Sequence, residues 1–115
     1  MKQQPQALLI YSTLPGEEAA RSIGETLVKE RLAACVNIIP GMRSIYEWKG
    51  KLEHDAEVVL IAKTMPERAD ALAARLAELH PYEVPAILRL PVMEVNTAYL
   101  DWLRRQTVAQ EVGDG

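Results

Sequence analysis

The chain has 115 residues, of which 25% are charged and 49% hydrophobic, and a formal net charge of -3. This length suits one domain with its own core, and the acidic balance argues against a nucleic-acid binder, which needs a clustered basic face. The single cysteine excludes an intrachain disulfide, and no apolar run has the length of a membrane span. We therefore expect a single cytoplasmic domain over residues 1–115, with flexible ends at 1–6 and 109–115 and with neither a nucleic-acid nor a membrane partner.

The first part of the chain predicts a strand followed by a helix. Residues 7–13 form a continuous apolar run that ends in hydroxyls, which is typical of a buried strand. After Pro15-Gly16, Glu17 and Glu18 place favourable negative charge in the first turn of a helix. Gly24 lies on the apolar face of that helix, where glycine lowers helix stability. We therefore expect Gly24 to allow the helix to approach a sheet closely.

Two strands and a tight turn are predicted next. Residues 34–39 are rich in β-branched side chains and end at Pro40-Gly41, and residues 44–48 alternate polar and apolar with period two. Lys49-Gly50-Lys51 is typical of a hairpin turn, and the returning strand runs from about 52 to 63. Both strands are long, so we expect them to extend past the body of the domain.

The second half predicts a helix, a strand and a final helix. Pro66 suits the first turn of a helix, whose apolar face consists of Ala69, Leu72, Ala73, Leu76 and Leu79. Residues 86–90 form a strand between two prolines, and Asn96 is placed to cap the last helix. The order βαββαβ with an additional C-terminal helix predicts an α+β, ferredoxin-like fold, in which an antiparallel sheet carries helices on one face.

No second layer of helices is available to cover the other face of this sheet. The strands nevertheless need apolar side chains on both sides, supplied by Val36, Ile38, Val58, Leu60, Ala62, Leu88 and Leu90. An exposed apolar sheet face marks an interaction surface. We therefore expect a homo-oligomer in which sheets from several copies pack together.

Segment 80–85, with the sequence HPYEVP, concentrates polar side chains between two prolines. Prolines stiffen and extend the backbone, which holds ligand-contacting groups at fixed positions. On this interpretation His80 is a candidate metal ligand, with Glu83 as a hard partner three residues later. The alternative is a helix terminator followed by a strand entry, in which His80 caps the helix and interacts with its dipole. Local sequence leaves both interpretations open.

Three further residues are candidates for a cleft that binds a small anion or metabolite. Lys63 ends a core strand, where a cation on a rigid element can meet a carboxylate or phosphate, and we group it with Glu57 and Tyr82. The alternative for Lys63 is a solvated strand end paired with a surface acid. No nucleophile, base and orienting group can be assembled from these residues, so we do not expect an enzyme.

Several segments together resemble the CutA divalent-cation tolerance proteins. They are residues 32–37, 46–52, 63–64, 80–85 and 99–103, and the similarity runs from about Leu8 to about Arg104. The resemblance implies a ferredoxin-like subunit in a compact homotrimer, similar to the PII signalling proteins, with small clefts between neighbouring subunits. It also implies a link to tolerance of copper and other divalent metals, and no enzymatic activity.

The chain departs from the copper-binding members of that family at two positions. Those members have a cysteine late in the first strand and a His-His pair before Pro-Tyr, where this chain has Ser12 and Leu79-His80. A hydroxyl is a poor ligand for soft copper, and one imidazole does not hold a metal alone.

The resemblance therefore leads to two functional expectations. The first is a PII-like cytoplasmic homotrimer for divalent-cation tolerance, which binds copper, another divalent ion or a small ligand at clefts between subunits. Such a protein would signal to an unknown protein partner or serve metal homeostasis. The alternative is a scaffolding trimer whose link to metal tolerance is indirect.

Overall fold

The computed structural model describes residues 3–109, so residues 1–2 and 110–115 of the ends predicted to be flexible lie outside the described part. Four strands and three helices follow one another in the predicted order. They are β1 (Ala7–Leu14), α1 (Glu17–Lys29), β2 (Cys35–Trp48), β3 (Lys51–Thr64), α2 (Ala69–Leu79, after a 3-10 turn at Pro66–Arg68), β4 (Leu88–Val92) and α3 (Thr97–Gln106). Within residues 3–109 no helix is both long enough and apolar enough to cross a membrane.

The four strands form one antiparallel sheet in the order β2-β3-β1-β4. This order and the helices between the strands confirm the predicted ferredoxin-like fold. Helices α1 and α2 cover one face, and the main core lies between them and the sheet. Its buried members include Ile10, Leu14, Ile23, Leu27, Val58, Leu60, Ala62, Leu72 and Leu76.

The second face of the sheet is partly covered at one end by α3. Leu103 of α3 forms a smaller buried cluster with Ala7, Ala34 and Met65. The Lys63 ammonium, which lies on this second face, donates to the Tyr99 hydroxyl of α3 at 3.4 Å. The C-terminal helix therefore packs opposite α1 and α2, whereas the sequence predicted the helices on one face.

The remainder of the second face is open, and its apolar residues are only in part those predicted. Of the predicted set, Val36, Ile38, Val58, Leu60 and Ala62 all pack in the core beneath α1 and α2. Strand alternation leaves Leu88 and Leu90 on the open face, 53% and 42% exposed. Register pairs them with Tyr11 and Leu9 of β1, which extend the same apolar surface.

The β2–β3 hairpin projects beyond the rest of the sheet. Both strands have 14 residues, whereas β1 has 8, and the last β1–β3 pair is Leu14 with Val58. We call the free portion, residues 42–57, the arm. Its turn consists of Lys49 and Gly50, both with positive φ (52° and 81°), as a type I′ turn requires. The predicted hairpin and its extension past the domain body are thus present.

Two prolines that were predicted from the sequence to end strands instead lie within those strands. At Pro40-Gly41 the β2–β3 register shifts between Ile39 and Met42, and Gly41 has a φ of 83°. This β-bulge lets β2 continue through the break. Strand β4 likewise includes Pro91. Both β2 and β4 are edge strands, where a residue without an N–H can face away from the ladder.

Gly24 permits the close helix–sheet approach that its position predicted. A Cβ built on Gly24 would lie 3.0 Å from Cγ1 of Val36, closer than side chains normally approach. Gly24 is buried on the side of α1 that faces β2, so the spacing of these two elements depends on its missing side chain.

We predict that Gly24→Ala destabilises the protein, although alanine favours the helix by about 1 kcal/mol, because overpacking against Val36 costs about 1–3 kcal/mol. In a Val36→Ala background the same substitution should become stabilising. Urea unfolding of the original chain, the two single variants and the double variant measures the energetic coupling between positions 24 and 36. An equal effect of Gly24→Ala in both backgrounds would contradict the steric explanation.

Candidate ligand cleft

A cleft of about 720 Å³ lies where the arm meets the chain between α2 and β4. Its walls come from the arm, the end of β1 and segment 81–86. The lining residues are Thr13, Ser44, Ile45, Tyr46, Trp48, Asp55, Glu57, Pro81, Tyr82, Glu83, Val84 and Ala86. The set contains three carboxylates and three large aromatic rings, and no lysine, arginine or histidine.

Glu57 is the most buried acid of the cleft, with 8% of its surface exposed. The Tyr82 hydroxyl donates a hydrogen bond to its Oε2 at 2.6 Å. Burial and this bond to the carboxylate together raise the pKa of the Tyr82 phenol, so Tyr82 remains a neutral donor. The structure thus brings together two of the three residues predicted for a cleft.

His80 anchors the chain that carries Tyr82. Its Nε2 lies 2.9 Å from the Thr13 carbonyl oxygen, and its Nδ1 accepts the backbone N–H of Tyr82 at 3.1 Å. Since Nδ1 is an acceptor, Nε2 carries the proton and donates to Thr13. Burial lowers the pKa of His80, opposed by the Thr13 bond and the Glu57 charge. The neutral imidazole therefore joins the end of α2 to β1.

The arm contributes a second phenol–carboxylate pair. The Tyr46 hydroxyl donates to Oδ2 of Asp55, and this bond to the carboxylate raises the pKa of Tyr46. Trp48 completes the aromatic side and is 46% exposed. The sequence analysis did not identify Tyr46, Trp48 or Asp55 as cleft residues. Period-two alternation of the returning strand, which puts Asp55 and Glu57 on one face, could have identified it.

Lys63 lies away from this cleft. It is six residues from Glu57 along β3, or about 20 Å at the rise of an extended strand. Its ammonium lies 5.5 Å from the centroid of the Tyr99 ring. Within one chain, Lys63 therefore contacts α3, and the cleft has no cation from the predicted set.

The residues proposed as metal ligands do not converge in one chain. Glu83 lines the cleft and is exposed, whereas both His80 nitrogens are already engaged. Among residues 3–109 no group of three His, Cys, Asp or Glu side chains is placed to hold a metal ion. Metal binding by His80 and Glu83 stays a prediction, and it requires His80 to give up one of its hydrogen bonds.

Ser12 and Leu79, at the two positions where the resemblance implied a departure from the copper-binding pattern, belong to the core. Ser12 is fully buried on the helix-covered face of β1, and its hydroxyl has no hydrogen-bond partner in residues 3–109. Leu79 packs against the main core. Neither residue lines the cleft.

Comparison with known proteins identifies the family. The family model described as CutA1 divalent ion tolerance protein matches residues 8–106. The chain belongs to this family. A divalent-cation tolerance protein CutA from Thermus thermophilus is 50% identical over 99 residues, which cover 86% of this chain and 96% of that relative. The human protein CutA is 46% identical over 97 residues, which cover 84% of this chain and 54% of the human protein.

Solved structures of the family share the fold. The Thermus thermophilus divalent cation tolerance protein superposes with a TM-score of 0.84 at 49% identity, covering 89% of this chain and 99% of that one. CutA from Synechococcus elongatus gives 0.88 at 34% identity, covering 93% and 95%. The chain thus spans nearly all of the CutA relative from Thermus thermophilus and about half of several plant and animal relatives.

We predict that Tyr82→Phe destabilises the protein by about 2 kcal/mol, because a buried carboxylate loses its hydrogen-bond donor. Tyr46→Phe is the matched control at the more exposed Asp55 pair, and its effect should be smaller. Urea unfolding at neutral pH measures both. In a Glu57→Gln background the Tyr82→Phe cost should shrink, and an unchanged cost would show that the Glu57 contact is not its source.

We predict that stability falls on acidification through the titration of His80. The folded-state pKa lies below the ordinary value of 6.5, so the unfolded chain binds more protons between these two values. This contribution is fully present above about pH 6.5 and is lost as the pH falls toward the depressed folded value. Denaturant unfolding at several pH values from 8 to 5 gives the free energy of unfolding at each pH. This free energy should fall less steeply with decreasing pH for His80→Gln than for the original chain. Equal pH dependence of the two proteins would contradict the assignment of this loss of stability to His80.

Proposed function

We propose that this protein is a PII-like cytoplasmic homotrimer that acts in divalent-cation tolerance and binds a divalent metal ion, such as copper, or a small ligand at clefts between copies. In this role it signals to a protein partner or serves metal homeostasis, without catalysis. The family supports the link to divalent-cation tolerance, and the names of the compared relatives mention no enzymatic reaction.

The observation that carries the proposal is the apolar surface left uncovered on the single chain. Leu88 and Leu90 are exposed on the open face, and Ile45 and Leu52, which are 66% and 68% exposed, lie on the opposite face of the arm. A monomer would leave this surface in water, whereas copies packed through the open face and the arm would bury it. Association would also place the carboxylates of one cleft beside side chains of a neighbouring copy.

A scaffolding trimer with an indirect link to metal tolerance is the second candidate. Two observations favour it: both His80 nitrogens are used within the chain, and no three-donor group occurs in residues 3–109. Under the first proposal, a metal site must therefore combine donors from two copies. The two candidates differ in whether association creates metal binding.

We predict that Leu90→Lys converts the assembly to a monomer, because it places a charge on the packed face. Val28→Lys is the matched control on α1, since Val28 is 41% exposed and Leu90 is 42% exposed. Light scattering should give three times the chain mass of 12.8 kDa for the original chain and for Val28→Lys. A monomeric original chain would contradict the trimer.

The same samples test metal binding by calorimetric titration with Cu(II), Zn(II) and, under reducing anaerobic conditions, Cu(I). Binding by the trimer that Glu83→Gln weakens and Leu90→Lys abolishes would support the proposed site between copies. A trimer that binds none of these ions would favour the scaffolding role. Binding of equal strength in the monomer would contradict a site shared by two copies.

A further inference from the structure

Four basic side chains from three parts of the chain lie at the end of the sheet opposite the arm. Strand β2 begins and β3 ends there, where Cys35 pairs with Lys63. We call this region the basic end, and it belongs neither to the open sheet face nor to the arm, the two surfaces through which copies are proposed to pack. Its bases are Lys29 at the end of α1, Arg31 in the following loop, Arg68 in the turn before α2 and Arg105 in the last turn of α3.

The four bases of the basic end have no acidic partner in the described part of the chain. Among residues 3–109 the ion pairs use only Arg75, Arg89 and Arg104 as bases. Glu30, at the end of α1, is already paired with Arg75 at 2.9 Å. The exposed Glu67, in the turn before α2, remains as an unpaired acid. Four bases against this acid leave the region positive, although the whole chain has a formal net charge of -3.

Backbone carbonyls hold two of these arginines in position. Arg68 donates from Nε and Nη2 to the Arg31 carbonyl oxygen, with both distances 3.4 Å. Arg31 in turn donates from Nη1 to the Gln106 carbonyl oxygen of α3 at 3.4 Å. A carbonyl oxygen orients a guanidinium without neutralising its charge, and a guanidinium has further N–H donors to offer. Two partly buried, oriented guanidiniums suit the planar, two-oxygen geometry of carboxylates.

The backbone of Arg31 adopts a conformation that usually belongs to glycine. Its φ is 61°. The Arg31 N–H bonds to the Val28 carbonyl, and the Leu32 N–H bonds to the Leu27 carbonyl. This is the Schellman pattern of a helix end, whose left-handed residue is most often glycine. A side chain here costs stability that glycine would avoid. The hydrogen bond to α3 leaves the Arg31 charge free, and a carboxylate ligand would use it.

The number of bases favours a short acidic peptide segment over nucleic acid or a membrane. Nucleic-acid binders make roughly 6–10 phosphate contacts on a clustered basic face. Four bases on an acidic chain provide too few, and the acids elsewhere on the chain would repel an extended polyanion. A peptide segment needs only one carboxylate for each guanidinium, which is how arginine clusters recognise acidic motifs.

We propose that the basic end binds an acidic segment of a partner protein. Carboxylates of that segment pair with Arg31 and Arg68, and Lys29 and Arg105 contribute at the edge. The inference rests on the protein partner of the proposed function and gives that partner a chemical character, and it requires no metal binding.

A fluorescein-labelled oligoglutamate peptide, followed by anisotropy, is the probe. We expect saturable binding of one peptide per chain that weakens with salt, and none with an oligoglutamine peptide of equal length. Arg31→Gly suits the positive φ and should fold, and it should weaken binding by about tenfold or more, since a charged hydrogen-bond partner is lost. Arg21→Gln removes the same charge at an exposed position nearer the start of α1 and should leave the affinity unchanged.

Arg105→Gln, at an exposed position of α3, is the second variant and keeps the test decisive if Arg31→Gly does not fold. It should also weaken oligoglutamate binding, by a smaller factor. The inference is overturned if oligoglutamate does not bind saturably, or if oligoglutamine binds as well. It is equally overturned if Arg21→Gln weakens binding as much as these variants, or if a DNA duplex binds more tightly than the peptide.

Light scattering and metal titration of the same preparations separate this inference from the broader function. A trimer that binds Zn(II) or Cu(II) but no oligoglutamate would retain the proposed trimer and metal site and refute the acidic partner. Oligoglutamate binding by a protein that is not trimeric or binds no metal would support the basic end and remove those parts of the proposed function.

Discussion

The backbone ladder between β2 and β3 continues after β1 has ended, and the candidate cleft depends on this mismatch of strand lengths. From residue 57 back to Lys51 no further strand of the described chain pairs with β3, so more than about 20 Å of two-stranded ribbon projects from the domain. An isolated two-stranded hairpin is marginally stable in water. The arm is held within the chain by its contacts at Glu57, and a neighbouring copy would provide further support.

Segment 80–85 links the arm to the body of the domain through neutral donors. His80 joins the end of α2 to β1, and Tyr82 then reaches Glu57 on β3. Stiff proline-containing backbone keeps these contacts in register. The same connections occupy the imidazole that metal binding would need. Within residues 3–109 of one chain the observed arrangement therefore contains no preformed metal site.

Element order was predictable from the sequence because it follows from local periodicity and from glycine and proline positions. Gly24 is one example, because the low helix propensity of glycine on an apolar helix face predicted a close approach to the sheet, and the structure shows this approach at Val36. Pro40 and Pro91 were misleading because edge position, a property of the assembled sheet, decides whether a strand tolerates proline. The sheet face that Val58 and Leu88 occupy likewise depends on the register of β3 and β4 against β1.

The cleft was predictable only in part. Tyr82 and Glu57 were identified as residue types suited to a site, and register and loop geometry bring them together. Lys63 was grouped with them although it lies at the other end of the same strand. Their separation along an extended strand already implies that Lys63 and Glu57 lie far apart. The sequence did not establish that the cleft forms at the arm end of the strand, where Glu57 lies. Asp55 became recognisable once the cross-strand partners of the arm were known.

The bulge at Gly41 has a consequence for the composition of the cleft. Before it, odd-numbered residues of β2, such as Ile39, share the face of Val59, and after it even-numbered residues, such as Met42, share the face of Glu57. One extra residue thus reverses the parity of the strand. Tyr46 and Trp48 point to the cleft side for this reason, and without the extra residue Ile45 and Glu47 would take their places. The chemical character of this surface is therefore set by a single unpaired backbone position that contributes no side chain to it.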